Sequence, residues 1–351
     1  MSNSLKITIQ ITFTYIGTVV GAGFASGREL IEFFVKYGYH GLLGIIIACG
    51  LFVWAGTQVM VIARRIQAQS FQEISFYLFG NTIGSLFNAI LLLVLIGTTS
   101  VMLAFTGSLF ADSFNLPSQL GIWISMILVF VVAARGMGAI HAVNSLFVPI
   151  LIGFTLLVFF YTKPWESVIS ASSLPYELGR HGWFSSPFYY VALNVALAQA
   201  VLVPIGRESN SNTPLWMGGL FGGIGIGLLL FLGYSSLLTN MPYVQFVDTP
   251  NIYILSGLGK WIAFFFAILV YGEVFSSLVA NLFGLIEQIQ SYFSLLRSQI
   301  LFVLLIICYG ISFVGFSSLL TVLYPLFGQV VVFFLMMLFY RQISYWYRSS
   351  K

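Results

Sequence analysis

Apolar residues in this chain do not alternate with polar ones at the spacing of a soluble helix or strand. They run on for about 20 residues at a time, the length an α-helix needs to cross the hydrocarbon of a bilayer. Ten such runs lie at about residues 8–36, 41–63, 84–111, 119–134, 142–162, 185–206, 215–238, 260–286, 299–315 and 318–340, the first of them interrupted. The pattern predicts an all-α integral membrane protein of ten transmembrane helices, a single transmembrane domain over residues 1–351. The two longer connecting stretches, about 163–184 and 240–259, carry Pro, Gly and short amphipathic pieces such as PNIYILSGLG. They read equally well as caps over an opening or as ordinary loops.

Composition sharpens this picture. With 59% hydrophobic and 7% charged residues, the 351-residue chain leaves no room for a separate soluble domain. The opening MSNSLK has no small-x-small cleavage site, so the first run is expected to be a retained helix. A net charge of +4 is no argument for nucleic acid, because in a membrane protein the side on which charge sits matters more than its sum. Cys49 and Cys308 lie inside apolar runs without metal-ligand spacing and read as packing residues. Trp183, Trp261 and Tyr345-Trp346-Tyr347 suit the bilayer interfaces.

Placing the N-terminus in the cytoplasm puts nine of the fourteen Lys and Arg inside: Lys6, Arg64, Arg65, Arg135, Arg207, Arg297, Arg341, Arg348 and Lys351. The other five, Arg28, Lys36, Lys163, Arg180 and Lys260, fall outside. Both termini are therefore expected to be cytoplasmic, in a multi-pass protein of the cell membrane. Gly27-Arg28-Glu29 follows the first span and Gly206-Arg207-Glu208 follows the sixth, on opposite sides in this orientation. That echo predicts an inverted repeat of five helices plus five, residues 1–165 and 180–345.

Within the first span, TYIGTVVGAGFASGREL breaks the apolar run with glycines. Unpaired backbone survives at membrane depth only inside protein or beside a wet cavity. The half-helix before the break offers free carbonyls, suited to a small cation; the half after it offers free amides, suited to a carboxylate. The alternative is close packing of small residues. The sixth span carries Asn194, Gln199 and Pro204 and predicts a second broken helix, because Pro204 cannot pair with the carbonyl of Ala200. In the eighth, Glu273 lies in mid-run, where a bare carboxylate costs at least about 2.5 kcal/mol. It reads as a proton carrier or cation ligand, with a structural pairing to an Arg or a hydroxyl as the alternative. Ser276 and Ser277 share its helical face and become candidate oxygen ligands. Thr98, Thr99, Ser100, Thr106, Thr321 and Tyr324 are weaker candidates, since packing hydroxyls are commoner than ligands. His40, His141 and His181 fall near loops without metal spacing.

Gly17-Thr-Val-Val20-Gly21-Ala-Gly23 resembles the broken first helix of the LeuT-like fold in the amino acid, polyamine and organocation transporter superfamily. With Phe24-Ala-Ser-Gly-Arg-Glu and the number of spans, the chain resembles the YkvI-type bacterial membrane proteins, grouped with amino-acid permeases. The resemblance implies a sodium site made by the carbonyls of Gly17 and Val20 with Ser276 and Ser277. It also implies a solute carboxylate at the amides of Gly21, Ala22, Gly23, Phe24, Ala25 and Ser26, and an amino group at carbonyls around Asn194, with Gln199 nearby. Phe24 stands where two-sodium members carry asparagine, which argues against a second sodium, and Glu273 lies outside the usual pattern, which favours proton coupling.

The expected function is a cation-coupled secondary transporter, using Na+ or H+ to move a small amino-acid-like solute by alternating access. Arg28 and Glu29 would close its outer mouth and Arg207 and Glu208 its inner one, unless these charges only snorkel to the interface. No prosthetic group is implied, and no enzyme activity. The main alternative is a receptor of the same fold that binds without transport, as in germinant-receptor subunits. A serine protease at Ser26 lacks a mid-membrane histidine, and a channel lacks a pore loop or a ring of like charges.

Overall fold

The computed structural model describes residues 3–133, 138–167, 182–290 and 294–349. Among the described residues every regular element is helical. The first apolar run becomes three pieces, α1 (Asn3–Val19), α2 (Ala22–Ser26) and α3 (Arg28–Phe33), followed by a short 3-10 turn at Val35–Tyr37. Next come α4 (Tyr39–Ile66), α5 (Phe71–Phe114), α6 (Ser118–Ala133), α7 (Gly138–Thr162) and the single turn α8 (Pro164–Ser167). The remainder comprises α9 (Ser186–Glu208), α10 (Asn212–Leu238), a 3-10 turn at Tyr243–Phe246, α11 (Pro250–Ser256), α12 (Lys260–Gln290), α13 (Arg297–Ser312) and α14 (Phe316–Ser349). Six helices, α4, α5, α9, α10, α12 and α14, are long and apolar enough to cross a membrane, and α6 and α13 are shorter apolar helices. Each run read from the sequence falls on helix, with α5 starting earlier than expected. Its extra turns precede Gly80, whose φ of 77° and ψ of 178° kink the helix.

Two groups of helices form the body. α1, α4, α9 and α10 pack together, while α5, α6, α12 and α13 form a second group and α14 bridges α9 and α5. The sequence GGLFGGIGIG makes α10 the centre of the first group. A Cβ on Gly218 or Gly222 would collide with Ile11 or Tyr15 of α1; one on Gly219 or Gly223 would collide with Thr57 or Val53 of α4. Small residues thus let α10 approach a helix on either side, gaining dispersion contacts where lipid supplies no hydrophobic drive. Large apolar side chains such as Ile46, Leu93, Phe265 and Val322 point outward, as surface against hydrocarbon should.

The sequence predicts a broken sixth span, and here the structure differs: α9 is one helix from Ser186 to Glu208 with Pro204 inside it. Pro204 stands one turn from the end, so the carbonyl it frees, that of Ala200, belongs to an exposed residue near the helix terminus rather than to mid-bundle. The amides expected to mark a site turn back on their own helix: Asn194 Nδ2 donates to the Tyr190 carbonyl at 2.9 Å, and Gln199 Nε2 to the Ala196 carbonyl at 3.3 Å.

Candidate functional site

The break lies at Val20 and Gly21. In a continuous helix the Gly21 N–H would bond the Gly17 carbonyl; it reaches the Val19 carbonyl instead, at 3.0 Å. A new ladder starts when Ala25 N donates to the Gly21 carbonyl at 3.0 Å. Gly21 is extended, with φ −100° and ψ −159°, so the turn between α1 and α2 is sharp. The Gly21 N–H has thereby left the regular i to i+4 pattern deep in the protein, directly after buried Val20, whose own N–H still bonds the Ile16 carbonyl at 2.8 Å. Of the amides implied for a solute carboxylate, those of Gly21 and Ala25 are already committed, and Ser26 uses its hydroxyl on the Gly23 carbonyl at 2.8 Å.

Across the break stands α12. A Cβ on Gly21 would sit 3.7 Å from Ser277 Oγ, so α12 packs against the break at that residue. Glu273, one turn earlier, is 2% exposed, and its Oε1 has no hydrogen-bond partner among the described residues. Ser276 is buried beside them. Backbone carbonyls and hydroxyls of this kind are hard oxygen donors, the chemistry that suits an alkali cation. Among the described residues no three His, Cys, Asp or Glu side chains gather as a transition-metal site would require.

Glu29 is where expectation and structure part. It was expected at a mouth beside Arg28, yet it is 6% exposed and turned into the bundle. The cause is local geometry. Gly27, at φ +87°, redirects the chain between α2 and α3, and α3 then places Arg28 and Glu32 on one face and Glu29 and Phe33 on the other. The Glu29 carboxylate folds back against Gly23 so closely that a Cβ there would collide with Oε1. The Tyr324 hydroxyl of α14 and the Tyr190 hydroxyl of α9 both lie within electrostatic reach of it. Tyr190 is 1% exposed, its ring is 5.1 Å from that of Phe33, and its hydroxyl has no partner among the described residues. Tyr324 was only a weak candidate in the sequence, and Tyr190 did not stand out in a chain with 18 tyrosines.

Arg28 points the other way. Its Nη1 donates to the Gln245 carbonyl at 2.5 Å and the Val247 carbonyl at 3.4 Å, tying α3 to the 240–259 stretch. That stretch also holds the break directly, because Asn251 Nδ2 donates to the Ala25 carbonyl at 3.0 Å. Asp248 accepts from Ser108 of α5 at 2.7 Å and from Ser317 of α14, and Thr249 donates to Asp112 at 3.3 Å. The segment is a cap. The 163–184 stretch is described only at its two ends, and Arg135 and Arg180 lie outside the described residues.

At the opposite end of the bundle, Arg207 and Glu208 are exposed and enter none of the ion pairs among the described residues. The bridging group there is Arg64, which donates to the Ser209 carbonyl at 3.0 Å, Asn210 carbonyl at 2.7 Å and Asn212 Oδ1 at 2.6 Å. Thr98, Thr99, Ser100 and Thr106 donate to carbonyls of their own helix, and Thr321 does likewise, as packing hydroxyls do. Cys49 and Cys308 each contact a neighbouring helix carbonyl at 3.7 Å.

Comparison with known proteins fits this architecture. No protein-family model matches the chain. Over 335 residues it is 37% identical to the protein described as uncharacterized membrane protein YkvI of Bacillus subtilis (strain 168), covering 95% of this chain and 96% of that one. It is 24% identical to uncharacterized protein YyaD of the same strain, covering 94% and 96%. Among solved structures it resembles inward-facing Mhp1, with TM-score 0.66 at 12% identity over 92% of this chain and 73% of that one. It also resembles MhsT in complex with L-phenylalanine, with TM-score 0.63 at 14% identity over 92% and 87%. A substrate-bound, outward-open Na+-coupled sialic acid symporter gives 0.62 at 13% over 92% and 75%. At such identities the likeness speaks for a shared fold, the LeuT-type fold expected from the first span. The six long apolar helices and the likeness to YkvI across nearly the whole of both chains make this a multi-pass membrane protein that belongs to the YkvI family.

Proposed function

We propose that the chain is a cation-coupled secondary transporter of a small amino-acid-like solute, working by alternating access. The observation that carries this reading is the break between α1 and α2, which lies in the buried core with Gly21 opposite Ser277. Non-helical backbone persists at membrane depth only where protein buries it or it lines a cavity, and transporters use such breaks to bind ions and solutes. The ion would take the carbonyls of Gly17 and Val20 with the hydroxyls of Ser276 and Ser277, and Glu273 would accept the coupling proton if the ion is H+. No covalent chemistry is required of any residue.

The topology completed by this reading has ten crossings as five plus five, with both termini in the cytoplasm of a cell-membrane protein. The pairing of α1 and α4 with α9 and α10, and of α5 and α6 with α12 and α13, is the arrangement two interlocked repeats would give. The cap over α2 then faces outside, with Arg28 in the outer gate, and Arg64 closes the inner end. Likeness in fold to MhsT bound to L-phenylalanine and to a Na+-coupled sialic acid symporter supports a carrier of small organic solutes over an enzyme. Uptake into proteoliposomes under imposed Na+ or H+ gradients tests this. Gradient-dependent accumulation of an amino-acid-like solute is expected; binding without flux under every gradient would leave a receptor instead.

A further inference from the structure

The unbroken α9 removes one element of the site that the resemblance implies. Carbonyls around Asn194 were to receive a solute amino group, yet they sit in a continuous helix and the Tyr190 carbonyl takes the Asn194 side chain. The same region holds something better suited to a cation. Glu29, Tyr190 and Tyr324 come from α3, α9 and α14, lie within electrostatic reach of one another with Glu29 against Gly23, and are all at least nine-tenths buried. No ion pair among the described residues includes Glu29, and the neighbouring Arg28 spends its guanidinium on the cap.

A carboxylate in such surroundings is costly until a cation meets it. Three oxygen-bearing side chains lie within electrostatic reach of one another: the Glu29 carboxylate, Tyr324 and Tyr190, whose buried hydroxyl has no hydrogen-bond partner among the described residues. An ammonium group has three N–H donors to match them. Phe33 and Phe34 pack against the Tyr190 ring, each with its centroid 5.1 Å away, and hold that phenol in place.

We infer that Glu29, with Tyr190 and Tyr324, is the recognition site for the solute's amino group, so that the substrate class is primary amines, including but not restricted to amino acids. The inference rests on reading the bundle interior as a solute site. It makes the free carboxylate of an amino acid dispensable and the ammonium indispensable.

Purified full-length protein in nanodiscs tests this by thermal shift and calorimetric titration with matched probes: leucine, isoamylamine and 4-methylpentanoate, with alanine, ethylamine and propionate as a smaller set. Both amine-bearing probes of at least one set should bind and the des-amino acid should not. Glu29→Gln should weaken amine binding about tenfold or more, the usual loss when a charged hydrogen-bond partner is removed. Tyr324→Phe should weaken it several-fold, and Glu32→Gln, on the other face of α3, should leave it unchanged. Binding of the des-amino acid as tight as that of the amino acid, no amine binding at millimolar concentrations, or full affinity in a folded Glu29→Gln protein would each overturn the inference. If Glu29→Gln fails to fold, the Tyr324→Phe affinity and the probe series decide. Amine binding that needs Glu29 but produces no flux would overturn transport and leave this site standing. Gradient-driven flux of an amine-free solute, undiminished in Glu29→Gln, would do the reverse.

Discussion

At the scale of single residues, two buried carboxyl groups flank one short helix and have different surroundings. Glu29 has a hydroxyl donor and an unpartnered phenol near it; Glu273 has an oxygen with no partner among the described residues and serines one turn on. The difference assigns them separate tasks, solute and ion. Glu273→Gln keeps shape and removes the titratable group, so uptake should be lost or should lose its pH dependence, with the melting temperature held. An unchanged pH profile would make Glu273 structural. Gly23 supplies a steric test: Gly23→Ala puts a methyl where the Glu29 carboxylate lies, so Glu29 must leave its place. Amine affinity should fall as it does in Glu29→Gln, and retention of it would contradict the assignment. Glu273 was legible in the sequence because any acid in an apolar run calls for an explanation. Glu29 was not, because a charge near the end of a run looks interfacial until the turn at Gly27 is known.

At the scale of elements, the asymmetry between α1 and α9 matters most. Glycines at 17, 21 and 23 made the first break readable, since a run that loses side chains at mid-depth loses its reason to stay helical. The second break was expected from Pro204 and two amides, but a proline in the last turn costs one hydrogen bond near an end that lacks partners anyway. Pro204→Ala should therefore leave binding and uptake intact while raising thermal stability slightly; loss of uptake would give Pro204 a role as a hinge. Gly27 is the reverse case. Its φ of +87° disfavours any side chain, and a Cβ would press on Asn251 at 3.1 Å, so Gly27→Ala should destabilise by about 1–2 kcal/mol, read as a lower melting temperature.

At the scale of the molecule, the hydropathy pattern made the helical membrane architecture legible, and the resemblance of the first span pointed to the fold. Hidden were the contacts between distant segments: the glycine faces of α10 and the cap whose Asp248 joins α5 to α14. Such contacts depend on which faces meet, and a list of apolar runs does not carry that. If the cap belongs to the outer gate, Asp248→Asn should loosen it and raise amide hydrogen exchange across residues 243–256 and α2; an unaltered pattern would remove Asp248 from the gate.

The central claim is that ion and solute meet at the α1 break and cross together. Its most direct test is uptake, in proteoliposomes, of whichever amine-bearing probe binds best, under Na+ or H+ gradients, for the wild type and for the Ser276→Ala, Ser277→Ala and Glu273→Gln triple variant. The account predicts accumulation in the wild type that collapses when the gradient is dissipated, and none in the variant. Uptake that is equal with and without gradients, or equal in the variant, would contradict it.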